Sequence, residues 1–134
     1  MRGRHPNEIS GQGVDAAIKV HSVLGPGLLE NAYEACLKHE LEKRGLKVEQ
    51  QLALPVVYDG VRIDLGYRLD LLVEEQVVVE LKAVERITAV HEAQLLSYLK
   101  LSDKRLRLLI NFNVARLANG IKRMVNNLRD GNEP

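Results

Sequence analysis

The stretch Gly66 to Ala83, GYRLDLLVEEQVVVELKA, decides the fold. Two runs rich in aliphatic and β-branched residues, one ending at Val73 and one starting at Val77, flank the polar triplet Glu74-Glu75-Gln76. They read as antiparallel strands joined by a three-residue loop. Val73 then faces Val77, and counting outward sets Leu72 against Val78, Leu71 against Val79 and Asp70 against Glu80. Directly opposed residues hold their Cβ atoms about 4.5 to 5.5 Å apart on one sheet face, where like charges repel. Glu80 and Lys82 are two apart and share that face, while Val79 and Leu81 turn to the other. Two carboxylates and an ammonium gathered in this way suit a hard divalent cation. Mg²⁺ prefers oxygen ligands at about 2.0 to 2.1 Å and takes one or two carboxylates, keeping its remaining waters. Such an ion acidifies a bound water and offsets charge on a phosphoryl oxygen. Lys82 would hold the attacking water or the phosphate. A plain ion-paired surface patch fits the same three residues.

Upstream, apolar residues recur at helical spacing from Glu8 to Leu24, with His21 on the same face, until Gly25-Pro26-Gly27 stops the helix. A second helix is expected from Leu28 to Arg44, ending at Gly45. At about 100° per residue, Glu30 falls roughly 20° from Leu37 and Leu41, in the middle of the apolar face. An acid in the first turn complements the helix macrodipole, which accounts for its place along the axis but not for its face. Lys47 to Tyr58 has strand chemistry, Asp59-Gly60 is a two-residue hairpin turn, and Val61 to Val73 and Val77 to Ala83 come next as strands.

Downstream, Thr88 caps an expected helix from Ala89 to Leu101. On it Gln94 and Tyr98 are i, i+4 neighbours, His91 shares their side, and Glu92 lies on the stripe of Leu95, Leu96 and Leu99. Polar groups beside a core stripe need partners or a ligand; for His91 a satisfied structural imidazole competes with a functional one. Arg105 to Phe112 reads as a buried strand and Gly120 to Leu128 as a closing helix. The order ααβββαβα is that of an α/β fold, a mixed central sheet flanked by helices. It occupies one domain, residues 8–128, between flexible tails 1–7 and 129–134.

A length of 134 residues with 46% hydrophobic and 28% charged residues excludes a second core, intrinsic disorder and a fibrous repeat. The lone Cys36 excludes an internal disulfide and cysteine-built zinc or iron–sulfur sites. No apolar run reaches the roughly 18 residues of a membrane span, and MRGRHPNEIS lacks a signal-peptide core, so a cytoplasmic location and no membrane partner are expected. Charge is uneven: residues 1–99 hold 11 Lys/Arg against 15 Asp/Glu, and residues 100–134 hold 8 against 3. The basic third offers Arg105, Arg107, Arg116, Lys122 and Arg123 to phosphates, though a solvated surface would have the same composition. Aromatic content of 4% is too low for a single-strand stacking platform.

GLLENAY at Gly27 to Tyr33 resembles the signature of the bacterial GxxExxY proteins, and residues 8 to 128 resemble that family throughout, including GYRLDLLVE, VVVELKAVE and HEAQLLSYLKL. The family is grouped with the PD-(D/E)xK nuclease superfamily. The resemblance implies an αβββαβ core with its site at the hairpin described above. Glu30 stands at the helical acid, Asp70 at the metal-binding Asp, and Glu80 and Lys82 at the ExK pair. Gln94 and Tyr98 match the QxxxY motif of the RecB-like branch, and Leu69 replaces the Pro. The resemblance further implies a Mg²⁺- or Mn²⁺-dependent nuclease in which Asp70, Glu80 and Glu30 hold the metal and Gln94 and Tyr98 position the substrate. The expected partner is nucleic acid, DNA ahead of RNA, with a homodimer as one way to gain substrate surface. A non-catalytic binding or regulatory protein on the same fold is the alternative, and a small-molecule phosphoesterase is not separable by sequence.

Overall fold

The computed structural model describes residues 4–102 and 106–125; within it, nothing is described for the side chains of residues 95 and 98–102. Two helices come first, α1 (Pro6–Leu24) and α2 (Glu30–Lys43), followed by strands β1 (Val48–Ala53), β2 (Val56–Tyr58), β3 (Val61–Ile63), β4 (Arg68–Val73) and β5 (Val77–Lys82). Helix α3 (Ala89–Ser102), strand β6 (Leu106–Asn111), a 3₁₀ turn (Leu117–Gly120) and strand β7 (Ile121–Val125) complete the order. The main sheet runs β1-β4-β5-β6-β7, with only the β5–β6 pair parallel. A mixed sheet flanked by helices is the architecture expected from the sequence, with one strand more than the four of the expected order.

One sheet face carries the main core. Leu71, Val73, Val77, Val79, Leu81, Leu106, Leu108 and Ile110 alternate along the strands and meet Ala16, Ala17 and Val20 of α1 and Tyr33, Leu37 and Leu41 of α2. α1 lies so close over β6 that a Cβ on Gly13 would stand 3.1 Å from Leu108 Cδ1. Arg44 ties the two helices, bonding Asp15 at 2.7 Å and Glu40 at 3.2 Å. A smaller cluster of Leu54, Leu69, Leu72 and Val78 starts the opposite face.

Three elements differ from the sequence reading. The strand expected over Lys47 to Tyr58 is broken after Ala53, where Leu54-Pro55 intervenes, and Pro55 has no amide to offer a ladder. The strand expected over Val61 to Val73 is broken at residues 64–67, where Asp64 Oδ1 accepts the Gly66 amide at 2.9 Å and Gly66 adopts φ +82°. Between the breaks, β2 and β3 form a separate hairpin turned by Asp59 (φ +54°) and Gly60 (φ +75°), the two-residue turn expected there. The largest correction concerns the closing helix: Ile121–Val125 is a strand, paired antiparallel to β6 from Ile110↔Ile121 to Leu106↔Val125. β6 is buried along its whole length, so its free edge needs backbone partners, and this demand overrides local helical spacing. Residues 126–128 of that expected helix, and Arg105 at the start of the expected strand, lie outside the described residues.

Candidate metal and phosphate site

The β4–β5 hairpin has the counted register: Val73↔Val77, Leu72↔Val78 and Leu71↔Val79 are paired. Glu74 and Glu75 turn it with φ of +53° and +57°. The ladder stops before Asp70 and Glu80. In its place the Asp70 amide donates to Glu80 Oε1 at 3.0 Å, and the Leu81 amide donates to Asp70 Oδ2 at 2.9 Å. Each carboxylate therefore bonds the opposite strand's backbone, which opens the hairpin end and keeps both acids there. Glu80 is only 6% exposed. Burial, then the charge of Asp70, pushes its carboxyl up to about 8, against the opposing pull of Arg107 and Lys82. Asp70 moves up as well, chiefly by burial, with the charges of Glu34 and Glu30 adding to it. Lys82 lies two residues beyond Glu80 and is half-buried, in register with Asn111 of β6.

Asn111 fixes the chain just past that lysine. Its Oδ1 accepts the Val84 amide at 3.0 Å and its Nδ2 donates to the Val84 carbonyl at 2.8 Å. A Cβ on Gly120 would stand 2.2 Å from the Asn111 carbonyl oxygen, so only glycine fits where the 3₁₀ turn approaches β6.

Glu30 is exposed rather than inward on the apolar face, because α2 starts at this residue and its first turn runs past the core. Glu34, one turn further, takes the buried place at 7% exposure. It accepts Gln50 Nε2 at 2.7 Å, and Gln51 Nε2 at 3.1 Å to each oxygen. The Gln51 amide also donates to Asp70 Oδ1 at 3.2 Å, bridging the two acids. β1 and β4 keep one register on both sides of Gln51, yet the pair Gln51–Asp70 is missing from it, and Gln51 has φ +53°. Left-handed backbone is costly for a residue with a side chain, and here it turns the Gln51 amide toward Asp70. Sequence reasoning missed Glu34, Gln50 and Gln51. Glu34 carried a signal, since at 100° per residue it falls about 20° from Leu41; the glutamines carried none, because a left-handed residue inside a strand leaves no pattern.

The other residues singled out by sequence are spread more widely. Gln94 is exposed on α3, and the Tyr98 side chain lies outside the described residues. His91 is structural: its amide donates to Thr88 Oγ1 at 3.3 Å and its Nδ1 accepts the Thr88 amide at 3.2 Å, a reciprocal cap at the start of α3. Glu92 pairs with Lys122 at 3.0 Å, which occupies one of the expected phosphate contacts. Arg116 is exposed, Arg123 bonds the Asn7 side chain, and Arg107 is fully buried, so Arg107 does not belong to a basic surface. The buried His21 is satisfied, with Nε2 at 2.8 Å from the Val114 carbonyl oxygen.

Among the described residues no three His, Cys, Asp or Glu side chains stand close enough to share one ion, so Glu30 does not join Asp70 and Glu80 in a three-carboxylate cage. The donor set that does converge, two crowded carboxylates made hard to ionise by burial, fits a small dication that completes its shell with water. No helix among the described residues is long and apolar enough to cross a membrane.

Residues 7–124 match the PD-(D/E)XK nuclease superfamily, and the chain belongs to it. No curated protein and no solved structure matches the chain.

Proposed function

We propose that the protein is a metal-dependent nuclease that hydrolyses phosphodiester bonds of DNA or RNA with Mg²⁺ or Mn²⁺. The observation that carries this reading is the crossed bonding of Asp70 and Glu80, which holds a half-buried and a buried carboxylate together at the open end of a hairpin, in a chain of a nuclease superfamily. When bound there, the ion supplies an acidified water and charge compensation at the phosphate. Asp70 and Glu80 hold it. Lys82 holds the attacking water or a phosphate oxygen, and Gln94 and Tyr98 position the substrate from α3. Glu30 and Glu34 add negative charge on the α2 side that would favour a bound cation. The motifs GLLENAY and Gln94-to-Tyr98 support the finer placement among the GxxExxY proteins and the RecB-like branch. A cytoplasmic protein acting on DNA, as a homodimer, is the setting that fits the sequence.

The deciding experiment incubates the purified chain with labelled single- and double-stranded DNA and RNA, with Mg²⁺, Mn²⁺ or EDTA. Cleavage with either metal and none in EDTA is the expected result. That no three acidic side chains among the described residues converge closely enough to share one ion favours one other reading, a non-catalytic nucleic-acid-binding or regulatory protein. Metal-stimulated binding without cleavage would establish that alternative.

A further inference from the structure

Arg107 has 0% of its surface exposed, and its Nε, Nη1 and Nη2 are buried without a hydrogen-bond partner among the described residues. A guanidinium carries five donors in a rigid fork, and burying it unpaired is costly, so such a group marks a place prepared for an anion. Its position in the sheet says which. Arg107 is in register with Val78, and Glu80 with Leu109, so Arg107 shares its face with Glu80 and Lys82. Glu80 stands one strand across, about 4.8 Å, and two residues along, about 6.6 Å. The two charges act on each other. Glu80 nevertheless gives Oε1 to the Asp70 amide and makes no bond with the guanidinium. On the other side of the sheet Leu106, Leu108 and Ile110 fill the main core against α1 and α2, so the Arg107 side chain belongs to the face of the site.

We propose that Arg107 is an oxyanion-binding residue of this site. It takes a phosphate group of the nucleic-acid substrate, its side chain swinging along the sheet face toward Glu80 and Lys82 when the phosphate arrives. That the phosphate belongs to a nucleic acid rests on the nuclease reading; that the guanidinium binds an oxyanion does not.

The test is thermal unfolding of the full chain in EDTA, with and without about 10 mM inorganic phosphate, for wild type, Arg107→Met and Arg107→Lys. Phosphate should raise the wild-type Tm by about 2 to 4 °C. Arg107→Met should lose that shift while keeping or gaining Tm without phosphate, because it deletes an uncompensated buried charge. A lower Tm in Arg107→Met together with an intact phosphate shift would make the guanidinium structural and overturn the proposal, as would a wild type indifferent to phosphate. Should Arg107→Met not fold, Arg107→Lys decides. It keeps the charge without the fork and should bind a short oligonucleotide in EDTA about tenfold more weakly than wild type, and equal binding would overturn the proposal. A phosphate shift in a wild type that cleaves nothing would leave the oxyanion site standing and remove the nuclease reading. Cleavage by a wild type whose phosphate response Arg107→Met retains would do the reverse.

Discussion

The Asp70 amide donates to the Glu80 carboxylate at 3.0 Å, while the Asp70 carboxylate accepts the amide of Leu81, the residue after Glu80. Two like charges on adjacent strands would push a regular ladder apart. Here each carboxyl group accepts a backbone N–H of the other strand, and burial with mutual repulsion disfavours ionising both, so the opening is a stable feature of the hairpin and the two acids remain together.

Metal addition should stabilise the protein. Millimolar Mg²⁺ or Mn²⁺ is expected to raise the Tm, because the ion binds the paired carboxylates of the native state and finds no such pair in the unfolded chain. Asp70→Asn should abolish the shift, as calorimetry or dye-based unfolding would register. An unchanged Tm in a folded wild type counts against a metal site.

Stability of the metal-free protein should fall as pH rises from 5 to 8.5. Glu80 holds its proton up to about 8, against an ordinary 4.5, and Asp70 shifts the same way. In that window the native state binds more protons than the unfolded one, so the stability present below the unfolded value is lost as pH climbs through the folded value. Arg107, lowered to about 10, titrates above the window and adds no slope. The change is on the order of a few kcal/mol, readable by urea unfolding across pH. Glu80→Gln should flatten the curve.

Lys82→Ala should lose cleavage by about two orders of magnitude or more, while metal still raises the Tm. The lysine contacts water or phosphate in this mechanism and is not an ion ligand. Equal cleavage rates for wild type and variant on every nucleic acid would reject the catalytic role.

Gln51 separates backbone strain from bonding. Gln51→Ala keeps the left-handed backbone and loses both carboxylate contacts, whereas Gln51→Gly loses the contacts and relieves the strain. Gly should therefore exceed Ala in stability by about 1 kcal/mol in denaturant titrations, with metal affinity lowered in both. A more stable Ala variant would remove the strain argument.

Tyr33→Phe should cost about 1 to 3 kcal/mol. The hydroxyl donates to the Gly25 carbonyl at 2.6 Å and accepts the Leu28 amide at 3.1 Å, closing the turn between α1 and α2, while the ring stacks on Phe112 at 4.5 Å. The phenylalanine keeps the stack and loses the closure, so urea unfolding should show a lower midpoint with an unchanged slope.

The hairpin register, the helices α1 to α3, the buried strand β6 and the grouping of Asp70, Glu80 and Lys82 followed from sequence, because period-two alternation, helical spacing and a three-residue loop are local and act before any tertiary contact. The tertiary structure decided the rest. Ile121–Val125 became a strand because β6 needed an edge partner. Glu34 displaced Glu30 as the buried acid because the first turn of α2 overruns the core. The bridge from Gln51 to Asp70 and the unpaired guanidinium of Arg107 depend on chain segments 19 and about 27 residues from Asp70 and Glu80, as the register of β1 and β6 in the sheet requires. No local pattern encodes which distant strand arrives beside a charge, so those partners appear only once the sheet has assembled.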